Sequence, residues 1–105
     1  MALTPFIDGH NDFLLRLLRE PERRGALWLE EGDEGHLDLP RMKKAGFAGG
    51  FFAIYIPSPE EPGAPDYQAM MDSPPYDLPL PPLIDAAGAQ PTALAMAAQL
   101  MWMER

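Results

Sequence analysis

Two side chains near the amino terminus have the types and spacing to do chemistry together. In Phe6-Ile7-Asp8-Gly9-His10-Asn11-Asp12, a histidine and an aspartate stand two residues apart. On an extended segment their side chains leave the same face, roughly 6–7 Å apart along the strand. A neutral imidazole and a carboxylate converging from one face is a donor pair that a divalent ion such as zinc accepts. Asp8 falls on that face too, behind His10, where it can act as an outer partner that fixes the imidazole tautomer. Gly9 marks a place of close backbone or ligand approach. The same spacing near a strand end also describes a capped turn, and spacing alone does not separate the two.

The elements that would position this pair are legible around it. Phe6 and Ile7 read as the end of a short buried strand. Phe13-Leu14-Leu15-Arg16-Leu17-Leu18-Arg19 has helical periodicity, with Leu14, Leu15 and Leu18 on one side and Arg16 and Arg19 on another. Strand, polar loop and helix put the pair at the carboxyl end of the strand, which is where ligands bind in α/β barrels and open α/β sheets. Further on, Asp38-Leu39-Pro40-Arg41-Met42-Lys43-Lys44-Ala45-Gly46 predicts a short helix. Asp38 caps it, Pro40 suits its first turn, the two lysines suit its negative end and Gly46 stops it. Gly49-Gly50 then lead into Phe51-Phe52-Ala53-Ile54-Tyr55-Ile56, an apolar run without alternation, as expected of a parallel strand buried on both faces. These elements form one right-handed βαβ-type unit. Tyr55 would then lie at the same end as His10 and Asp12, either lining a substrate pocket or packed in the core with its hydroxyl satisfied.

The remaining segments carry less chemistry. Glu20-Pro21-Glu22-Arg23-Arg24-Gly25 breaks periodicity and reads as a loop. Trp28-Leu29-Glu30-Glu31-Gly32-Asp33-Glu34-Gly35 is acidic, as a lid over a cation site or a solvated surface loop would be; the second is the ordinary meaning of a charge run. His36 reads as a surface histidine ahead of a helix start. Pro57 to Pro82 is proline-rich and poor in periodic apolar residues, with a single helical turn expected at Tyr67-Gln68-Ala69-Met70-Met71. Thr92 to Met103 is rich in helix formers, with Pro91 suited to its first turn. A start near Asp85 would place Gly88 and Pro91 inside that helix and weaken it. Leu94, Ala98, Met101 and Trp102 are its expected buried face, and its methionines suit gap-filling in a core better than a sulfur metal site.

Composition limits the classes of function. With 105 residues the chain is one domain at most. Its net charge is −8, from 16 acidic and 8 basic residues. This argues against a nucleic-acid partner, whose binding needs cations to neutralise phosphates. Cysteine is absent, so disulfides and thiolate metal sites are excluded. No stretch approaches the ~20 apolar residues of a membrane span. The strand begins too close to Met1 to leave room for a signal peptide, so a cytoplasmic location is expected.

Asp8-Gly9-His10-Asn11-Asp12 with its following apolar helix resembles the opening of the membrane dipeptidases, or renal dipeptidases, zinc peptidase family M19 of the amidohydrolase type. The segment from Gly35-His36-Leu37-Asp38-Leu39-Pro40 to Gly49-Gly50-Phe51-Phe52-Ala53-Ile54-Tyr55 resembles that family's second block in order and spacing. The resemblance covers residues 6–57 and extends over 76–105. It implies an α/β fold, namely the first βα units of a (β/α)8 TIM barrel of metal-dependent hydrolases. Residues 1–105 would be an amino-terminal fragment of a single dipeptidase domain, with the Pro-rich loop at 57–82. It implies two zinc ions and a metal-bridging hydroxide that attacks the peptide bond of a dipeptide. His10 and Asp12 would hold one zinc, while a bridging glutamate and two further histidines come from later strands. A barrel takes about 250 residues, so the chain alone is expected to be catalytically inactive and to expose apolar surface, and the full parent to be a dipeptidase, as a homodimer in analogy to the family. Two alternatives stand beside this: a non-catalytic interaction or assembly module, and another amidohydrolase-superfamily metal hydrolase.

Overall fold

The computed structural model describes residues 2–105. Its elements in chain order are β1 (Phe6–Asn11), α1 (Phe13–Arg19), a 3-10 turn (Pro21–Arg23), α2 (Arg24–Leu29), α3 (Leu39–Ala45), β2 (Phe47–Phe52), α4 (Tyr67–Met71) and α5 (Ala86–Glu104). The two strands pair in parallel, with Phe6 opposite Phe47, Ile7 opposite Gly49, Asp8 opposite Gly50 and Asn11 opposite Phe52. The bond from the Ala53 amide to the Asn11 carbonyl, 2.9 Å, continues the pairing past the end of β2. The mixed, parallel α/β architecture expected from the sequence is therefore what forms.

β2 lies earlier than the apolar run suggested. It spans Phe47–Phe52 rather than 51–56, and Gly49 and Gly50 sit inside it. Glycine usually weakens a strand, but it is required where another group comes close. A Cβ on Gly50 would stand 2.6 Å from the Phe47 ring and 3.5 Å from the Asn11 amide nitrogen. Gly50 thus leaves the space that Phe47 and Asn11 occupy. The turn before β2 matches expectation: Gly46 adopts φ +87° and ends α3, and the Asp38 side chain caps that helix by accepting the Arg41 amide.

The core gathers Phe13, Leu14, Leu17, Leu27, Trp28, Met42, Met96 and Met103, with Phe47, Phe52 and Trp102 packed against it. The buried side of α1 is Phe13, Leu14 and Leu17, one residue back from the expected face, with Leu15 and Leu18 only half-buried. Each fully buried leucine contributes about 1.5–3 kcal/mol relative to exposure. α2 falls where a loop and an acidic run were expected, because Leu27 and Trp28 reach the core and the Phe13 and Trp28 rings meet at 5.6 Å. α5 starts at Ala86, capped by Asp85, whose carboxylate accepts the Gly88 amide at 2.8 Å. Pro91 lies inside it, and the Thr92 hydroxyl donates to the Gly88 carbonyl at 3.3 Å in the weakened first turns. Met96 and Met103, seven residues apart, are its buried side chains, whereas Leu94 and Met101 are exposed. Arg24 lies 4.8 Å over the Trp102 ring and fixes the helix edge.

Between β2 and α5 the chain has little regular structure apart from α4, which is capped by Asp66 and falls at the expected single turn. Neither strand is buried as expected: Ile7 and Phe51 are 70% and 69% exposed, because a sheet of two strands has no further strand or helix layer to cover both faces, which leaves the apolar surface expected of the chain alone. Among the described residues no helix is long and apolar enough to cross a membrane.

Candidate metal-binding site

The polar loop expected after Ile7 is strand as far as Asn11, so Asp12 alone stands between β1 and α1, and the polar side chains at this strand end differ in what they bond. Asp12 occupies the N-cap position of α1 but makes no capping bond through its side chain. The side-chain carbonyl of Asn11 accepts the Phe13 amide instead, at 3.1 Å. The other end of the Asn11 side chain donates to Asp8 at 2.9 Å, and the second Asp8 oxygen accepts the His10 backbone amide at 3.2 Å. Asp8 and Asn11 therefore brace the carboxyl end of β1, while the His10 imidazole and the Asp12 carboxylate are left facing each other. His10 Nε2 is 3.4 Å from both Asp12 oxygens, and the two side chains are 67% and 56% exposed. A capped turn built by Asp12 is thereby ruled out, because the cap comes from its neighbour.

Asp8 is placed differently from its expected role. It lies on the expected face, yet its carboxylate holds the His10 backbone and the Asn11 amide rather than the imidazole. It positions the loop that presents His10. Tyr55 also departs from expectation. It is three residues beyond β2, 53% exposed, and not among the residues that line the cavity around His10 and Asp12.

That cavity has a volume of about 550 Å³. Its strand wall is Phe6, Asp8 and His10, alternate residues of β1, continued by Asp12. Its opposite wall is Gly35, His36 and Leu37. The acidic segment is exposed, as the solvated-loop reading expects, and of its residues Gly35 lines the cavity; backbone contacts tie its end down. Arg16 donates to the Glu34 carbonyl at 3.2 Å; Arg41 donates to the carbonyls of Gly35 at 3.1 Å and Glu34 at 3.3 Å. Lys44 pairs with Glu31. Gly35 adopts φ +65°, and a Cβ there would strike the Arg16 guanidinium. Behind the loop, Asp38 is 1% exposed and accepts from the Gly32 amide at 3.0 Å, the Arg41 amide at 2.9 Å and Arg41 Nε at 2.5 Å. Burial by itself raises the pKa of this carboxyl, but the bonds from Gly32 and Arg41 and the guanidinium charge outweigh it and hold the group below its ordinary value of 3.8.

The donor set fits a metal ion in part. One imidazole nitrogen and one carboxylate, free of structural duties and open to a cavity, are ligand types that zinc takes. Among the described residues no group of three or more histidine, cysteine, aspartate or glutamate side chains gathers to hold a metal. His10 and Asp12 would supply two ligands of a site, and a catalytic zinc takes three from protein. His36, read from the sequence as a plain surface residue, is exposed but lies in the cavity wall. Its place depends on Arg16 and Arg41 contacts, which no local pattern announces.

A parallel strand pair flanked by helices, with a histidine and a carboxylate facing each other at the carboxyl end of its first strand, defines an α/β protein. The family model for membrane dipeptidase (peptidase family M19) matches residues 1–77, and the chain belongs to that family. Its fold is that of part of a solved structure described as the dipeptidase AC, a metallopeptidase of family M19, with 62% identity and a TM-score of 0.84 over 99% of this chain and 28% of that one. It likewise matches a metallopeptidase from Rhodobacter sphaeroides, liganded with a phosphinate mimic of the dipeptide L-Ala-D-Ala, at 63% identity and a TM-score of 0.85 over 99% of this chain and 30% of that one. A protein in the PQQ-III 3′ region of Acinetobacter calcoaceticus is 48% identical over 54 residues, 50% of this chain and 17% of the relative. The chain thus spans less than a third of the length of the solved relatives it matches.

Proposed function

We propose that the protein carrying this chain is a metal-dependent dipeptidase, that zinc is its metal, and that His10 and Asp12 are two ligands of one ion. The observation that carries this is the division of work at the carboxyl end of β1: Asn11 caps α1 and Asp8 holds the backbone, so the facing His10 and Asp12 side chains have no structural task. Family membership and the two solved metallopeptidases support it, and the phosphinate mimic bound to the Rhodobacter protein points to dipeptides, including those ending in a D residue, as the substrate class. The remaining ligands, a second ion and the rest of a (β/α)8 barrel would come from residues other than these.

When bound, zinc polarises a peptide carbonyl and lowers the pKa of water. The chain's own residues prepare for that. Asp8 and Asn11 fix the backbone at the end of β1, so His10 and Asp12 would meet an ion pre-positioned. To ligate through Nε2, His10 must carry its proton on Nδ1, leaving the Nε2 lone pair toward the Asp12 side of the cavity. Asp12 then contributes charge to the ion rather than accepting a proton bond from the ring. The overall reaction adds water across the single peptide bond of a dipeptide and releases two amino acids.

The test is hydrolysis of L-Ala-D-Ala and L-Ala-L-Ala by the full protein, before and after chelation and re-addition of zinc. Activity that is lost on chelation and restored by zinc, and that is abolished in His10→Ala and Asp12→Ala, is expected. Dipeptide hydrolysis unaffected by either change would overturn the proposal. The 105-residue chain by itself is expected to show no turnover.

A further inference from the structure

The longest helix of the chain carries an apolar side that its own neighbours leave open. From Ala86 to Met103, α5 has no charged residue, in a chain whose net charge is −8. Met96 and Met103 are its buried side chains, and it packs on α1. The opposite side is Ala87, Pro91, Leu94, Ala98 and Met101, all exposed, with Leu94 at 64% and Met101 at 59%. Their spacing alternates between four and three residues, which makes one stripe along the helix, about half a turn from the buried methionines. A solvent-facing helix side is ordinarily polar or charged, and a helix that is apolar all round is buried on all sides.

In the (β/α)8 barrel proposed above for the whole protein, the helices form the outer ring, so the side opposite a helix's own packing looks away from its domain. The pattern of the stripe is self-complementary, as a two-fold interface requires. With two α5 helices antiparallel, Leu94 of one copy falls opposite Ala98 of the other, and Met101 opposite Pro91, each large side chain against a smaller one. The same register sets Arg105 opposite Ala87, within two residues of Asp85, so the charges at the ends of the stripe attract. Glu104 is off the stripe by helical spacing. The strip alone, about 28 Å long and about 10 Å wide, covers about 300 Å² per copy, short of the roughly 800 Å² per partner in a stable pair. Leu80 and Leu83, 92% and 98% exposed, directly precede α5 and extend the apolar surface. We propose that the outward side of α5, together with Leu80 and Leu83, is the interface between two copies of the whole protein, with the helices antiparallel about a two-fold axis. This rests on the barrel fold proposed above and not on the dipeptidase activity.

The test is the mass of the full protein in solution, by sedimentation equilibrium over a range of micromolar concentrations. The wild type is expected to be a dimer. Leu94→Glu with Met101→Glu should raise the dimer dissociation constant by at least about a hundredfold, because the added carboxylates would face one another. Leu83→Glu should raise it less. A second variant, Leu94→Cys with Ala98→Cys, keeps the stripe free of charge and should give a covalent dimer on oxidation; it decides the matter if the glutamate variant does not fold. A monomeric wild type would overturn the proposal and leave the stripe to be covered by the protein's own chain. A dimer that persists in the glutamate variant, or a folded cysteine variant that forms no covalent dimer, would overturn it too. A dimeric wild type that cleaves no dipeptide would overturn the dipeptidase function and leave this interface standing.

Discussion

The side-chain carbonyl of Asn11 accepts the backbone amide of Phe13 at 3.1 Å and so caps α1 in place of Asp12, the residue that stands at the cap position. That relationship leaves a carboxylate free beside an imidazole. Under the proposed metal site, Asn11 would be the residue that links stability to metal binding.

Asn11→Ala is therefore expected to lose the cap and the bond to Asp8 together. The fold should be destabilised by about 1–2 kcal/mol, the upper part of the range for an N-cap residue. Zinc affinity should fall as well, because Asp12 becomes free to turn onto the helix amides. Denaturant midpoints and zinc titration on the same variant check both effects; a variant with weakened stability but unaltered zinc affinity would separate them.

Asp38 sets an acid limit on stability. Its folded pKa lies below the ordinary 3.8, so the stabilisation it gives is fully present above that value and is lost as the pH falls through the lowered folded pKa. Asp38→Asn should cost about 2–3 kcal/mol near neutral pH, since hydrogen bonds to a charged, buried group are weakened and Arg41 loses its counter-charge. The gap between wild type and variant should narrow as the pH drops below about 3.8. Thermal melts between pH 2 and pH 7 read this directly.

Gly35→Ala should displace the loop that carries His36. The new Cβ meets the Arg16 guanidinium, and φ +65° strains any L side chain. A stability loss of about 1 kcal/mol is expected, read as a lower denaturant midpoint. An unchanged midpoint would mean that the Arg16 guanidinium does not crowd this position.

Leu17→Ala removes a fully buried side chain where α1 meets α5. The expected cost is about 2–4 kcal/mol from lost burial and the cavity left behind. Leu94→Ala, on the exposed side of α5, should change the denaturation midpoint of the single copy little.

These outcomes also separate what was legible in the sequence from what was not. The spacing of His10 and Asp12, the helix α1, α3 with its Asp38 cap and Gly46 stop, and the single turn of α4 follow from local signals: apolar periodicity, capping residues and a positive-φ glycine. β1 was read as a buried strand ending at Ile7, whereas it begins at Phe6 and runs to Asn11, because backbone pairing with β2 carries the polar residues that resemble a loop. β2 was displaced by four residues because Gly49 and Gly50 resemble a loop until Phe47 and Asn11 are seen to need the space above Gly50. α2 was missed because Pro21 and Gly25 break the local pattern, while Leu27 and Trp28 draw the segment helical through long-range packing. The face of α5 was misjudged because nearly every residue there is apolar or small, and only the partner helix selects Met96 and Met103. The role of Asp8 and the place of His36 depend on side-chain bonds across the loop and between helices, which spacing does not encode.

The central claim is that His10 and Asp12 bind one metal ion as a pair, and direct zinc titration of the purified protein tests it. Calorimetry on the wild type, His10→Ala, Asp12→Ala and His36→Ala should show zinc affinity reduced at least about tenfold in the first two variants, within the range for loss of a ligand or its support, and retained in the third. Wild-type zinc affinity in both His10→Ala and Asp12→Ala would contradict the assignment.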